Sequence, residues 1–154
     1  MKSKLSIEDV IKREGKFVST TVGVSMYPML RDKKDTIVVS PKCGRLKKYD
    51  IPLYRRGNQY VLHRVIKVLP ESGYNIRGDN CYLTEENISE ENIIGVLTEF
   101  WRNGKKVDMT CFSYKLYSRL WVHLHPIIFF FKRISYYAVK LTGKISKIIR
   151  RRFL

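Results

Sequence analysis

This sequence predicts a mainly β domain, opened by a short helix and followed by a basic, amphipathic helical tail. Three observations carry that expectation. Between Phe17 and Met109, short runs rich in Val, Ile, Thr and Tyr alternate with turn-forming Gly, Pro and Asn. From Tyr117 onward the apolar spacing becomes three to four residues, the helical period. The charge changes in the same region: residues 1–108 hold 20 Lys/Arg and 14 Asp/Glu, whereas residues 109–154 hold 10 Lys/Arg and no acid. The chain therefore divides into a β-rich domain at 1–109 and a tail at 110–154. Its 154 residues, 44% hydrophobic, suffice for one ordinary core and exclude a disordered composition.

The elements follow in order. Ser6 is placed to cap a short helix with Glu8 and Asp9 in its first turn, ending near Gly15. Phe17 to Val24 reads as a strand, broken by Ser25 to Leu30, where Pro28 fixes a turn. Thr36 to Ser40 is a second strand and Asp50 to Tyr54 a third, with Pro52 pointing to an edge or a bulge. Arg55-Arg56-Gly57-Asn58 is turn chemistry. Gln59 to Leu69 is the strongest strand, turned by Pro70 to Gly73 into Tyr74 to Arg77. Ile93 to Trp101 follows, and Asn103-Gly104 folds it back onto Lys105 to Met109. Short, evenly spaced strands of this kind build a barrel-like or sandwich core.

In the tail, Tyr117, Trp121, Leu124, Ile128, Phe131, Ala138, Leu141, Ile145 and Ile149 form the apolar series, while Lys115, Arg119, Lys132, Lys140, Lys144 and Lys147 fall largely elsewhere. Pro126 is expected to split the tail into two helices. No stretch supplies the roughly 20 apolar residues of a spanning helix. The tail instead reads as interfacial, residues 112–154 lying on a membrane surface with Trp121, Tyr136 and Tyr137 at headgroup depth. The alternative is that the apolar series packs on the β domain while the cations face water. No nucleic-acid recognition module is visible. Cys43, Cys81 and Cys111 are odd in number and lack zinc spacing, and His123-x-His125 is too little for a metal site, so no metal or cofactor is expected.

Three strings carry chemistry: Gly23-Val24-Ser25-Met26-Tyr27-Pro28-Met29-Leu30, Leu62-His63-Arg64-Val65 and Arg77-Gly78-Asp79-Asn80. They offer a hydroxyl, an imidazole and a carboxylate from separate segments. A hydroxyl becomes a nucleophile when a base takes its proton and a third group orients that base. Ser25 stands where a strand ends, His63 within the strong strand between Val61 and Val65, and Asp79 just beyond the next strand of the hairpin.

With Asp50-Ile51-Pro52-Leu53-Tyr54 and Tyr60 to Ile66, these strings resemble the successive boxes of type I signal peptidases, over roughly residues 17 to 98. The wider clan includes self-cleaving SOS-type repressors. The resemblance implies a β peptidase fold and a serine endopeptidase that removes a leader or signal segment from a precursor at a membrane. His63 followed by Arg64 is similar to the histidine-base branch, which comprises archaeal, sporulation-associated and endoplasmic-reticulum members. On the matching positions Ser25 would be the nucleophile, its backbone amide the oxyanion donor, His63 the base and Asp79 the acid. Met26 and Pro28 would shape the substrate-binding edge. Lys67, on the same strand face as His63, is a weaker alternative base.

This sequence departs from the family pattern in three ways. Relatives often carry a serine where Gly23 stands, which would remove one oxyanion donor. The branch's second aspartate is replaced by Thr84-Glu85, leaving Glu85 as an alternative third acid. The usual N-terminal anchor is missing from the start of this sequence, which points to a prokaryotic, membrane-associated enzyme on the cytoplasmic face, with the extracytoplasmic side as the competing topology. The competing function is an inactive, signal-peptidase-like interaction protein held at the membrane by its tail.

Overall fold

The protein is described by a computed structural model covering residues 5–71 and 73–152, with backbone only at residue 138 and residues 141–152. Two compact units divide the chain, Met1–Arg119 and Leu120–Leu154.

The first unit is mainly β, as its sequence predicts. Helix α1 (Ile7–Glu14) starts at Ser6, whose hydroxyl accepts from the Asp9 amide at 3.1 Å while Asp9 reaches back to the Ser6 amide. Gly15 closes it at φ 70°, a left-handed conformation that glycine adopts without a Cβ penalty. Strands β1 (Phe17–Thr20), β2 (Thr36–Ser40), β3 (Pro52–Arg56) and β4 (Gln59–Leu62) join the long β8 (Ile93–Arg102) in one antiparallel sheet, in the order β1-β2-β8-β3-β4. Strand β9 (Lys105–Val107) returns on β8 through Asn103-Gly104, as expected. A second sheet holds β5 (Arg64–Val68), β6 (Tyr74–Arg77) and β7 (Glu85–Ile88). Of the turn between β5 and β6, Ser72 lies outside the described residues.

Strand β7 has no counterpart in the sequence reading, and three other places differ from it in whole or in part. Of the two expectations for Pro52, the edge does not hold, because β3 lies between β8 and β4, whereas the bulge agrees with a register shift against β8 between Leu53 and Tyr54; Pro52 itself is the first residue of the strand. The expected single strand from Gln59 to Leu69 is two strands interrupted at His63. There the chain leaves β3 for the second sheet, held by the His63 amide on the Pro52 carbonyl (3.3 Å) and the Val65 amide on the Asp50 carbonyl (2.8 Å). The tail is one helix, α2 (Phe112–Arg152), running through Pro126, which removes one rung while helical residues on both sides continue the ladder.

Two apolar clusters fill the first unit. One gathers Ile11, Met26, Met29, Leu30, Val39 and Phe100, with Tyr114 and Tyr117 of α2 packed against it. The other gathers Leu46, Tyr54, Val65, Tyr74, Ile76 and Ile93. The first turns of α2 therefore belong with the β-rich unit, and the compact division falls at Arg119.

In the second unit, Leu124, Ile127, Phe130 and Phe131 are exposed. Lys132 stands 4.7 Å over the Phe129 ring and Arg133 5.8 Å over the Tyr137 ring, so cations and aromatics interleave at helical spacing. The side chains of Ala138, Leu141, Lys144, Ile145, Lys147 and Ile149 lie outside the described residues. Among the described residues no helix is long and apolar enough to cross a membrane.

Candidate active site

The serine turn is built from the backbone outward. Gly23 has φ 95°, a left-handed value that strains any residue with a Cβ, and its amide donates to Asp32 Oδ1 at 2.7 Å. That geometry favours glycine over serine at this position. The Tyr27 amide then donates to the Val24 carbonyl and the Leu30 amide to the Met26 carbonyl, closing the turn. Ser25 is half-buried on it, and the Tyr27–Pro28 peptide is cis.

Gly78-Asp79-Asn80 clamps this turn. The Asn80 amide donates to the Ser25 carbonyl at 2.7 Å and its side-chain amide to the Val24 carbonyl at 3.1 Å. Gly78 is the point of convergence. A methyl group there would stand 2.7 Å from the Ser25 carbonyl oxygen, 2.7 Å from Cys81 Sγ and 2.9 Å from His63 Nε2. Ser25, Met26, His63 and Cys81 line one cavity of about 660 Å³, which is also lined by residues of β1 and β4, the two ends of the strand order of the first sheet.

His63 is 4% exposed. Its Nδ1 lies 3.2 Å from Glu85 Oε1 and 3.2 Å from the Tyr54 hydroxyl. The Tyr54 hydroxyl donates to Glu85 Oε1 at 2.7 Å, so its oxygen is left to accept from the ring; the proton then sits on Nδ1 and the lone pair on Nε2. Burial pushes the ring's pKa below its ordinary 6.5; the charge of Glu85 opposes this and that of Arg56 reinforces it. The ring is therefore neutral near pH 7 and able to accept a proton. No hydrogen bond joins it to the Ser25 hydroxyl among the described residues, and Nε2 has Cys81 Sγ at 4.0 Å. Such bonds often tighten only when substrate binds.

The carboxylate behind the ring is Glu85, not Asp79. Asp79 is 3% exposed and holds Arg64 bidentately, Oδ1 to Nε at 2.8 Å and Oδ2 to Nη2 at 2.7 Å. Arg64 is fully buried and also donates to Ser118 Oγ at 3.1 Å. Burial disfavours its charge, but Asp79 more than compensates and raises its pKa. Asp79 thus braces the segment that clamps Ser25.

The expected binding-edge residues separate. Met26 is 5% exposed and is both a core residue and a wall of the cavity. Pro28 lines a different cavity, of about 370 Å³, with Met29, Phe100 and Tyr114. Lys67 is exposed on β5 and does not line the cavity that holds His63.

Sequence reasoning missed Tyr54, Arg56 and Cys81. Tyr54 carried one readable sign, a phenol at the inward end of a predicted core strand, where its hydroxyl needs a partner. Arg56 and Cys81 carried none: Arg56 meets Glu85 from β3, and Cys81 comes within 4.0 Å of Nε2 from the segment between β6 and β7. Among the described residues, no group of three His, Cys, Asp or Glu could hold a metal ion. No family model and no curated protein matches the chain.

Proposed function

We propose that the chain is a serine endopeptidase of the signal peptidase type, acting on an extended segment of a protein or peptide precursor. The observation that carries this reading is the convergence of the Ser25 backbone carbonyl and His63 Nε2 on Gly78, which puts the serine turn beside the ring, with the Glu85 carboxylate by Nδ1. In that role Nε2 takes the Ser25 proton as Oγ attacks a peptide carbonyl. The Ser25 backbone amide, which donates to no backbone carbonyl among the described residues, faces the oxyanion. The imidazolium then protonates the leaving amine, stabilised by Glu85, and water repeats the cycle on the acyl-enzyme. Asp79 acts as an anchor of the serine turn and not as the third member.

The cavity between β1 and β4 suits a substrate backbone added as a strand, because among the described residues each of these strands is paired on one side only. Residues 112–154 would hold the enzyme at an anionic membrane surface, on the cytoplasmic face of a prokaryotic cell. The interleaved cations and rings of α2 support the anionic surface, not the side of the membrane.

A peptide-cleavage assay tests the catalytic reading. Ser25→Ala and His63→Ala should each lower kcat by about 10³-fold or more. Equal turnover by wild type and both variants ends the proposal. One observation favours the rival, an inactive interaction protein: Nε2 has a thiol, Cys81, as its side-chain contact. A folded wild type that cleaves no peptide and acylates no serine would support that rival.

A further inference from the structure

Glu85 Oε1 has three polar neighbours: it accepts from the Tyr54 hydroxyl at 2.7 Å and from Arg56 Nη1 at 3.2 Å, and His63 Nδ1 lies 3.2 Å away. They come from different parts of the fold. Tyr54 and Arg56 stand on β3 in the first sheet, Glu85 opens β7 in the second, and His63 lies at the crossover between the sheets. The site is therefore tied across both sheets through one oxygen atom.

The three neighbours are not equivalent. The Arg56 side chain is 51% exposed, so water competes for its contact. Tyr54 is fully buried in the second apolar cluster, and its ring lies 6.1 Å from the imidazole, centroid to centroid. Its hydroxyl carries one proton and can accept as well. Donation of that proton to Glu85 leaves an oxygen lone pair for Nδ1, which must then be protonated. The reverse arrangement, with the phenol donating to Nδ1, would set two acceptor oxygens against each other at 2.7 Å. Only the Nδ1–H tautomer satisfies all three groups.

We propose that Tyr54 is a positioning residue for His63: it locks the ring in the Nδ1–H tautomer and holds Glu85 against it, so that Nε2 is the atom offered to the nucleophile. This rests on the peptidase reading for its consequence in catalysis, but not for its geometry. The groups that face the ring are Tyr54 and Arg56 from β3, Glu85 from β7, and Asp79 and Cys81 from the segment after β6. Tyr54 and Glu85 each lie 3.2 Å from Nδ1.

Nitrogen NMR of the full chain, with ¹⁵N-labelled histidine, tests this. Wild type at neutral pH should show a protonated Nδ1 and an unprotonated Nε2 on His63. Tyr54→Phe keeps the ring and the core volume but removes the hydroxyl. It should give a mixture of tautomers and lower kcat by about tenfold or more with KM unchanged. Glu85→Gln, which leaves the Tyr54 ring in place, should mix the tautomers as well. A wild-type ring protonated on Nε2, or a Tyr54→Phe ring with unaltered tautomer and kcat, would overturn the proposal. The two readings fail separately. If wild type cleaves no peptide yet Tyr54→Phe shifts the tautomer, the positioning role stands and the peptidase reading falls. If cleavage persists and the tautomer does not move, the peptidase reading stands and the role of Tyr54 falls.

Discussion

Gly78 shows how tightly the site is drawn at the scale of single residues. No left-handed angle demands a glycine there; the need is space, because a Cβ would meet the Ser25 carbonyl, Cys81 Sγ and His63 Nε2 all within 3 Å. The carbonyl belongs to the backbone and cannot swing aside. Gly78→Ala should therefore lower stability by about 1–3 kcal/mol, the range for overpacking, and abolish cleavage. Thermal unfolding and a peptide assay on one sample check both, and unchanged turnover would show that the three groups do not converge in solution. The charges around His63 make a second prediction. Since burial lowers the ring's pKa, kcat/KM should rise with pH along an acid limb below 6.5. Arg56 pushes the same pKa down, so Arg56→Gln should move that limb to higher pH; Glu85 pushes it up, so Glu85→Gln should move it lower. The linked stability has a defined sign. With the folded pKa below the unfolded one, the unfolded chain binds more protons, and stability falls as pH drops through 6.5. Ser25 and His63 were legible as residues because their strings are short and ordered. The choice between Asp79 and Glu85 was not, since it depends on which carboxylate the strand pairing carries behind the ring.

At the scale of elements, the Arg64–Asp79 pair joins β5 to the segment that clamps the serine turn. Both side chains are buried, so removing one leaves an uncompensated charge. Asp79→Ala should cost about 3–5 kcal/mol of stability, whereas Glu85→Gln, at a partly exposed carboxylate, should cost less while lowering kcat. Denaturant midpoints set against kcat for the two variants separate anchor from triad member. If Asp79→Ala left stability intact and removed only activity, the roles assigned to the two acids would be reversed. Helix α1 and the β8–β9 hairpin were readable because their determinants are local: the Ser6–Asp9 capping box, Gly15, and Asn103-Gly104. The break at His63 was not readable. The run from Gln59 to Val68 is uniformly strand-like, and only its two different partners, β3 and β6, divide it. Strand β7 was missed for a related reason. Glu85-Glu86-Asn87-Ile88 has little intrinsic strand preference and is extended by pairing with β6.

For the whole molecule, the β-rich unit and the basic tail are distinct in charge. The period of the tail was legible, but its continuity through Pro126 was not, because a missing amide proton removes one rung without deciding whether the helix stops. The 10 Lys/Arg of residues 109–154, with no acid among them, should draw the full chain to anionic vesicles, each cation near the surface adding up to about 1 kcal/mol. Co-sedimentation should weaken with salt and fall in a Lys132→Glu, Arg133→Glu double variant. Equal recovery on neutral and anionic vesicles would contradict a role for the tail at a charged membrane. The catalytic claim faces its most direct test in acid-quenched mass spectrometry after mixing the protein with an activated peptidyl ester. The acyl group should be found on Ser25, be absent there from Ser25→Ala, and form far more slowly in His63→Ala. An acyl group found instead on Cys81, or no covalent adduct on a folded wild type, would contradict it.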